Sequence, residues 1–270
     1  MIYFCPTPIG NLGDITLRTL EVLRSVDIIY AEDTRVTIKL LNHYDINKKL
    51  KTYHKFNEAK ASLEIIESLE NGLDIGLVTD AGMPGISDPG HVLIKKLIEK
   101  NLDFRVLPGP NAALSALVIS GLANDNFYFY GFTNPKSSSR KKEFENLKNI
   151  RATLIFYESP HRILEFLKDM IEILGNREIS ISRELTKIYE ETIRGKVEDI
   201  LNSNLTLKGE FVIVVEGNTQ KEEMPDIKEL LIERINNGQK KSQAVKEIAQ
   251  EYNISKNVVY KESLNIDAWF

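Results

Sequence analysis

The sequence predicts an α/β fold: two α/β domains followed by a small C-terminal helical segment. Three observations carry that expectation. Short apolar runs alternate with amphipathic helical stretches through the first half, a second series of apolar runs begins after a polar stretch, and the tail keeps only helical periodicity. The 270 residues, 42% hydrophobic and 27% charged, suffice for a substantial core and for two or three domains. The expected division is 1–121, 122–217 and 218–270.

In the first domain the strand candidates are IYFC (2–5), DIIYA (27–31), DIGLVT (74–79) and FRVL (104–107). Alternation of this kind implies βα units and a largely parallel sheet. TLRTLEVLRS (16–25) spaces Leu17, Leu20 and Leu23 as a helix packed on that sheet, and ASLEIIESLENG (61–72) ends on an Asn-Gly stop signal. GLANDN (121–126) suits a domain boundary. The second series is FYFYGF (127–132), TLIFY (153–157), EISISR (178–183) and GEFVIVVEG (209–217). NTQKEEMPD (218–226) reads as a linker into IKELLIERI (227–235) and SQAVKEIAQEY (242–252). A turn around Asn253 to Ser255 and a further helix give helix-turn-helix spacing, which a packed helical hairpin shares.

Composition narrows the function classes. The opening MIYFCPTPIGNL has no basic leader, and no apolar run reaches the roughly 20 residues of a membrane span. A cytoplasmic protein with no membrane partner is expected. Cys5 is the only cysteine, so no internal disulfide forms, and its apolar surroundings suit a buried thiol better than a nucleophile. None of the four histidines has metal-ligand spacing, so no metal is expected. The net charge of -4 argues weakly against nucleic acid, yet KSSSRKK (136–142) and a lysine-rich tail concentrate positive charge locally.

The chemistry-bearing segments are glycine- and proline-rich turns directly after strand candidates, where open α/β sheets bind ligands. They are PTPIGNLGDITLR (6–18), VTDAGMPGISDPG (78–90) and LPGPNAA (107–113). No G-x-G-x-x-G opens a helix and there is no phosphate loop, which removes nicotinamide and nucleoside triphosphates. There remains a pocket of helix N-termini and carboxylates able to accept from ribose hydroxyls or an ammonium. S-adenosylmethionine carries all of these groups.

In order, PTPIGNLGDITLR, AEDTR (31–35), HKFNE (54–58), VTDAGMPGISDPG, LPGPNAA, LIFYESPHR (154–162), RELTK (183–187) and KGEFVIVVEG (208–217) resemble the ribosomal RNA small subunit methyltransferase I family, part of the tetrapyrrole methylase superfamily. The resemblance covers residues 2–217, and the tail resembles the family's C-terminal helices. It implies two α/β domains of the tetrapyrrole methylase type with S-adenosylmethionine in the cleft between them. It also implies a homodimer that 2'-O-methylates a cytidine in the decoding region of 16S ribosomal RNA, in the small ribosomal subunit or as free RNA. Carried over, cofactor contacts fall on Pro8, Ile9, Gly10, Asp80, Gly82, Met83, Ser87, Asp88, Pro108 and Gly109. Tyr157, Leu185 and Gly209 are expected to add contacts from the second domain. Ser139 and Met83 depart from the family's usual residues, which bears on the shape of the basic loop and on the fit around the cofactor.

Methyl transfer from a sulfonium is an in-line displacement that needs alignment above all, and a ribose hydroxyl also needs a proton acceptor. The catalytic candidates are Glu158, Glu184 and Lys187, with Glu158 or Glu184 as the base. His161 and Arg183 lie in the same motifs, and Glu32, Asp33 and Arg35 form a similar cluster. Arg35, Arg140, Lys141, Lys142 and Arg162 are the expected RNA contacts, with Tyr128 or Tyr130 as stacking faces. Two other readings compete: a small-molecule tetrapyrrole methyltransferase, and a non-enzymatic nucleic-acid-binding sensor.

Overall fold

The computed structural model describes residues 1–219, 226–252, 254–264 and 266. The expected linker residues 220–225 and the turn residue Asn253 lie outside the described residues. The chain divides into two compact units, Met1–Asn218 and Thr219–Phe270.

The first unit opens with β1 (Ile2–Phe4), α1 (Leu17–Ser25), β2 (Ile28–Ala31), α2 (Thr34–His43), β3 (Lys49–Thr52) and α3 (Glu58–Glu70). β4 (Ile75–Val78), α4 (His91–Glu99), β5 (Phe104–Val106) and α5 (Ala112–Ser120) follow. The five strands form one sheet in the order β3-β2-β4-β1-β5, and every pairing is parallel. Its central strands β2 and β4 are buried along their whole length because helices cover both faces. On one face Ile65, Leu93 and Leu97 from α3 and α4 pack on Phe4, Tyr30 and Leu77. On the other, Leu20, Leu23 and Leu41 from α1 and α2 pack on Cys5, Ile29 and Val78.

The second sheet comprises β6 (Phe127–Phe132), β7 (Thr153–Glu158), β8 (Glu178–Arg183), β9 (Glu191–Lys196) and β10 (Phe211–Val215). Its order is β6-β7-β10-β8-β9; only β6 and β7 pair in parallel. α6 (Ser137–Leu147), α7 (Ile163–Leu174) and α8 (Val197–Leu201) cover one face through Phe144, Phe166 and Ile200. The opposite face carries Ile155, Val212 and Val214, and α5 packs there through Ala113, Ala116 and Leu117. Alternate residues of β7 and β10 thus serve two cores, as a period of two requires. β3 and β9 were not expected from the sequence. Both are edge strands whose alternating polar residues, KLKT and ETIRGK, hide the apolar run that marks a central strand.

KSSSRKK corrects the expectation of a basic loop: Ser137 to Lys142 form the first turns of α6. Arg140 is fully buried there, with Nε donating to Asp169 Oδ2 of α7 at 2.8 Å, while Ser137 donates to Asp169 Oδ1 at 2.9 Å. A guanidinium without solvent exposure cannot reach a phosphate, so Arg140 is withdrawn as an RNA contact.

The second unit contains α9 (Ile227–Asn236), α10 (Lys241–Glu251) and α11 (Lys256–Leu264). Leu231, Ala244, Val245, Ile248 and Val259 form its core, so it buries an apolar face of its own.

Candidate functional site

The loops that leave the carboxyl ends of β1, β4 and β5 are locked together before they reach the second sheet. Thr7 and Gly82 exchange backbone hydrogen bonds of 3.0 Å in both directions, and the Thr7 hydroxyl donates to the Thr79 carbonyl at 3.0 Å. At Gly109 an added Cβ would fall 2.7 Å from Pro6 Cβ, so glycine lets the third loop lie against the first. Asn111 caps α5 by accepting from the Leu114 amide at 3.0 Å. Asp33 caps α2 and accepts from the Arg35 amide at 2.8 Å.

These loops meet the segment after β8 and the start of β10. The Asn11 amide donates to Thr186 Oγ1 at 3.0 Å, and a Cβ at Gly10 would lie 2.9 Å from the Leu185 carbonyl oxygen. Ser87, Glu184 and Thr186 hold left-handed backbone, with φ of 63°, 53° and 67°. Asp45 and Asn101 share such backbone at the ends of α2 and α4, so three of the five described non-glycine residues of this kind fall in or beside one cleft.

That cleft has a volume of ≈ 410 Å³ and draws residues from both sheets. From the first come Ile9, Glu32, Thr79, Asp80, Asp88 and Asn111; from the second come Phe132, Tyr157, Glu158, Leu185, Gly209 and Val212. Its charged lining consists of carboxylates, namely Glu32, Asp80, Asp88, Glu158 and Glu210. The Thr79 hydroxyl donates to Glu32 Oε2 at 2.9 Å, and the Asp33 amide donates to Asp80 Oδ1 at 3.0 Å. Burial, reinforced by the charges of Glu32 and Asp80, pushes the Asp88 carboxyl up to about 6. Asp80 is raised for the same first reason, burial.

The structure sorts the expected site residues. Ile9, Asp80, Gly82, Met83, Ser87, Asp88, Tyr157, Leu185 and Gly209 come together around the cleft. Pro8 and Gly10 line instead a second cavity of ≈ 380 Å³ that adjoins it. Pro108 and Gly109 line neither cavity, because Pro108 points to solvent and Gly109 is pressed on Pro6.

Of the catalytic candidates, Glu158 lines the cleft with its side chain buried, accepting from the Ser159 amide at 2.7 Å and from Arg162 Nη2 at 2.9 Å. Glu184 lies outside both linings; it accepts from Lys187 Nζ at 2.9 Å, which holds its carboxyl below the usual range. Burial opposes the charge of Lys187, but its bonds to Glu184 and Glu210 prevail and leave its pKa raised. Held in its charged form, Lys187 is a cation beside Glu184 and Glu210 and not a proton acceptor, the role the sequence assigns to Glu158 or Glu184. Cys5, pushed up to about 12 by burial, is no nucleophile either.

Among the expected RNA contacts, Arg35 is exposed beside Asp33, at 2.6 Å, and Lys142 is exposed on α6. Lys141 pairs with Glu172 at 2.6 Å, and Arg162 is drawn inward by Glu158 and the Thr133 carbonyl. Tyr128 is exposed, whereas Tyr130 packs against the second sheet's core. His161 is exposed, and Arg183 Nε donates to Glu191 at 3.1 Å. Sequence reasoning missed Thr79, Asn111, Phe132, Glu210 and Val212, although all but Phe132 stand inside or beside quoted motifs.

Comparison with known proteins places the arrangement. The model of the family "Tetrapyrrole (Corrin/Porphyrin) Methylases" matches residues 1–201. A ribosomal RNA small subunit methyltransferase I from Bacillus subtilis (strain 168) is 44% identical, with 96% of this chain and 92% of the relative covered. The protein of that name from Vibrio cholerae serotype O1 is 42% identical, with 98% of this chain and 94% of the relative covered. Among solved structures, a diphthine synthase superimposes with a TM-score of 0.62 at 13% identity, covering 80% of this chain and 89% of that one. A uroporphyrin-III C-methyltransferase from Thermus thermophilus, complexed with S-adenosyl homocysteine, gives 0.57 at 14% identity, covering 80% and 96%. At such identities the structural matches speak for the fold.

Proposed function

Because the chain belongs to the tetrapyrrole methylase family and, within it, to the ribosomal RNA small subunit methyltransferase I family, we propose that it is an S-adenosylmethionine-dependent methyltransferase that 2'-O-methylates the ribose of a cytidine in the decoding region of 16S ribosomal RNA. The observation that carries this reading is the carboxylate-lined cleft between two sheets. The cleft suits this cofactor: its acidic groups attract a cation and accept from ammonium and ribose hydroxyl donors, while Ile9, Met83, Leu185 and Val212 offer apolar wall. In this reading the 1–121 and 122–217 domains close on the cofactor from two sides.

Bound there, S-adenosylmethionine supplies a methyl carbon made electrophilic by the sulfonium to which it is attached. The protein's residues hold and shield it. Asp80 and Glu32, fixed by the Asp33 amide and the Thr79 hydroxyl, face the positive charge. Gly82, at φ +83°, and Gly209, at φ +87°, supply left-handed backbone at the cleft, and a Cβ at Gly209 would fall 2.4 Å from Glu184 Cγ. Asp88 accepts the proton of the ribose hydroxyl, since its raised affinity brings it nearer the working pH than an ordinary aspartate. Glu158, tied by Arg162 and the Ser159 amide, shapes the cleft.

The substrate is the small ribosomal subunit or its RNA. The homodimer remains part of this reading, supported by exposed Val106, Val118, Phe127 and Tyr128 on the edge strands β5 and β6 and on α5. Among the described residues no helix is long and apolar enough to cross a membrane, which is consistent with action in the cytoplasm.

The test is transfer of labelled methyl from S-adenosylmethionine to 30S subunits and to naked ribosomal RNA lacking prior modification, with nucleoside mapping. A 2'-O-methylcytidine at one decoding-site position is expected. No transfer to either substrate, with S-adenosylhomocysteine demonstrably bound, would overturn the ribosomal assignment and favour a tetrapyrrole substrate or a sensor.

A further inference from the structure

The second cavity is not accounted for by the cofactor. It has ≈ 380 Å³, within the usual range for small-ligand sites, and lies between the β1 loop and α2. Ile9, Thr79, Asp80, Ala81 and Glu210 line both cavities, so the two adjoin along one set of residues. A methyl transfer requires neighbouring seats for its two reactants, so that the reacting atoms can be brought to about 3–3.5 Å.

The two linings differ in charge. The cleft presents carboxylates without a cation, whereas the second cavity adds Lys39 and Lys187. Lys187 is committed to Glu184 and Glu210. Lys39 is exposed, and among the described residues no carboxylate lies within ion-pair distance of it. Arg35 stands one helical turn earlier on α2 but is paired with Asp33 at 2.6 Å, which leaves Lys39 as the cation of the lining without a carboxylate partner among the described residues. Leu12, Val36 and Leu40 form an apolar wall against which a base can lie flat.

We propose that this second cavity seats the target nucleotide of a single-stranded RNA segment, its base against Val36 and Leu40 and its phosphate held by Lys39. The assignment rests on the methyltransferase reading above and deepens it by separating the nucleotide site from the cofactor site. The shared wall at Asp80 is then where the ribose enters the cleft.

Two exposed positions make the test: Lys39→Glu reverses the phosphate-facing charge, and Val36→Trp fills the cavity without changing charge. Steady-state methyl transfer to unmodified 30S subunits would be measured for the wild type and both variants. S-adenosylhomocysteine affinity would be followed by calorimetry, and binding of a fluorescent single-stranded oligocytidine by anisotropy. Expected for Lys39→Glu are a roughly tenfold rise in KM for subunits, a log–log salt slope shallower by about one, and unchanged S-adenosylhomocysteine affinity. Val36→Trp should lower kcat/KM for subunits about tenfold with the same cofactor affinity. Unchanged subunit KM and oligonucleotide binding in both variants, or weakened S-adenosylhomocysteine binding in Val36→Trp, would overturn the assignment. A wild type that binds the oligonucleotide through Lys39 but transfers nothing would instead sink the methyltransferase reading and leave the pocket standing.

Discussion

Asp88 shows how a single side chain is tuned by what surrounds it. The carboxyl belongs to the loop after β4 and lines the cleft, and burial beside Glu32 and Asp80 raises it to about 6. A native pKa above the unfolded value means that the folded chain holds more protons between about pH 4 and 6, so stability falls as pH rises through that window. Asp88→Asn removes this dependence. Water at the cleft mouth screens part of the effect, so the variant should melt about 2–4 °C above the wild type at pH 8 and at the same temperature near pH 4. If Asp88 takes the ribose proton, the same variant loses roughly 100-fold or more in kcat, and the wild-type rate climbs with pH through about 6. Thermal melts and a pH–rate profile check the two halves separately.

The α6–α7 pair is an element whose polar residues do structural work that its sequence disguises. Arg140 of α6 is buried against Asp169 of α7, 2.6 Å from Nη2 to Oδ2, and Ser137 binds the other carboxylate oxygen. Removing Arg140 leaves buried Asp169 with only the half-buried Lys141, 3.7 Å away, as a counter-charge. Arg140→Ala should therefore cost about 3–5 kcal/mol, whereas Arg140→Met combined with Asp169→Leu should recover most of it. Urea unfolding of both variants decides between this and a merely peripheral pair, for which the single change would cost under about 1 kcal/mol. Lys142 is exposed on the same helix.

For the whole molecule, the relevant division falls after Asn218. Every residue that lines either cavity precedes it, and the later helices have their own core of Leu231, Ala244, Ile248 and Val259. A chain ended at Asn218 is expected to keep a cooperative thermal transition and to bind S-adenosylhomocysteine with unchanged affinity by calorimetry. Loss of that affinity would show that the helical unit supports the cleft.

The sequence by itself determined the α/β class, the parallel first sheet, the helical tail and the loops that surround the cleft. Each of these is written in short-range pattern: apolar runs of strand length, glycine and proline directly after them, and leucines at helical spacing. The edge strands β3 and β9 escaped because polar alternation on an edge resembles a loop. Only the tertiary structure decided the partners. It paired Arg140 with a carboxylate 29 residues away and Lys187 with Glu210 across 23, and it set Lys39 of α2 beside the loop of Gly10. Whether a charge faces solvent, a ligand or another side chain depends on neighbours brought in by the fold, and no local pattern encodes them.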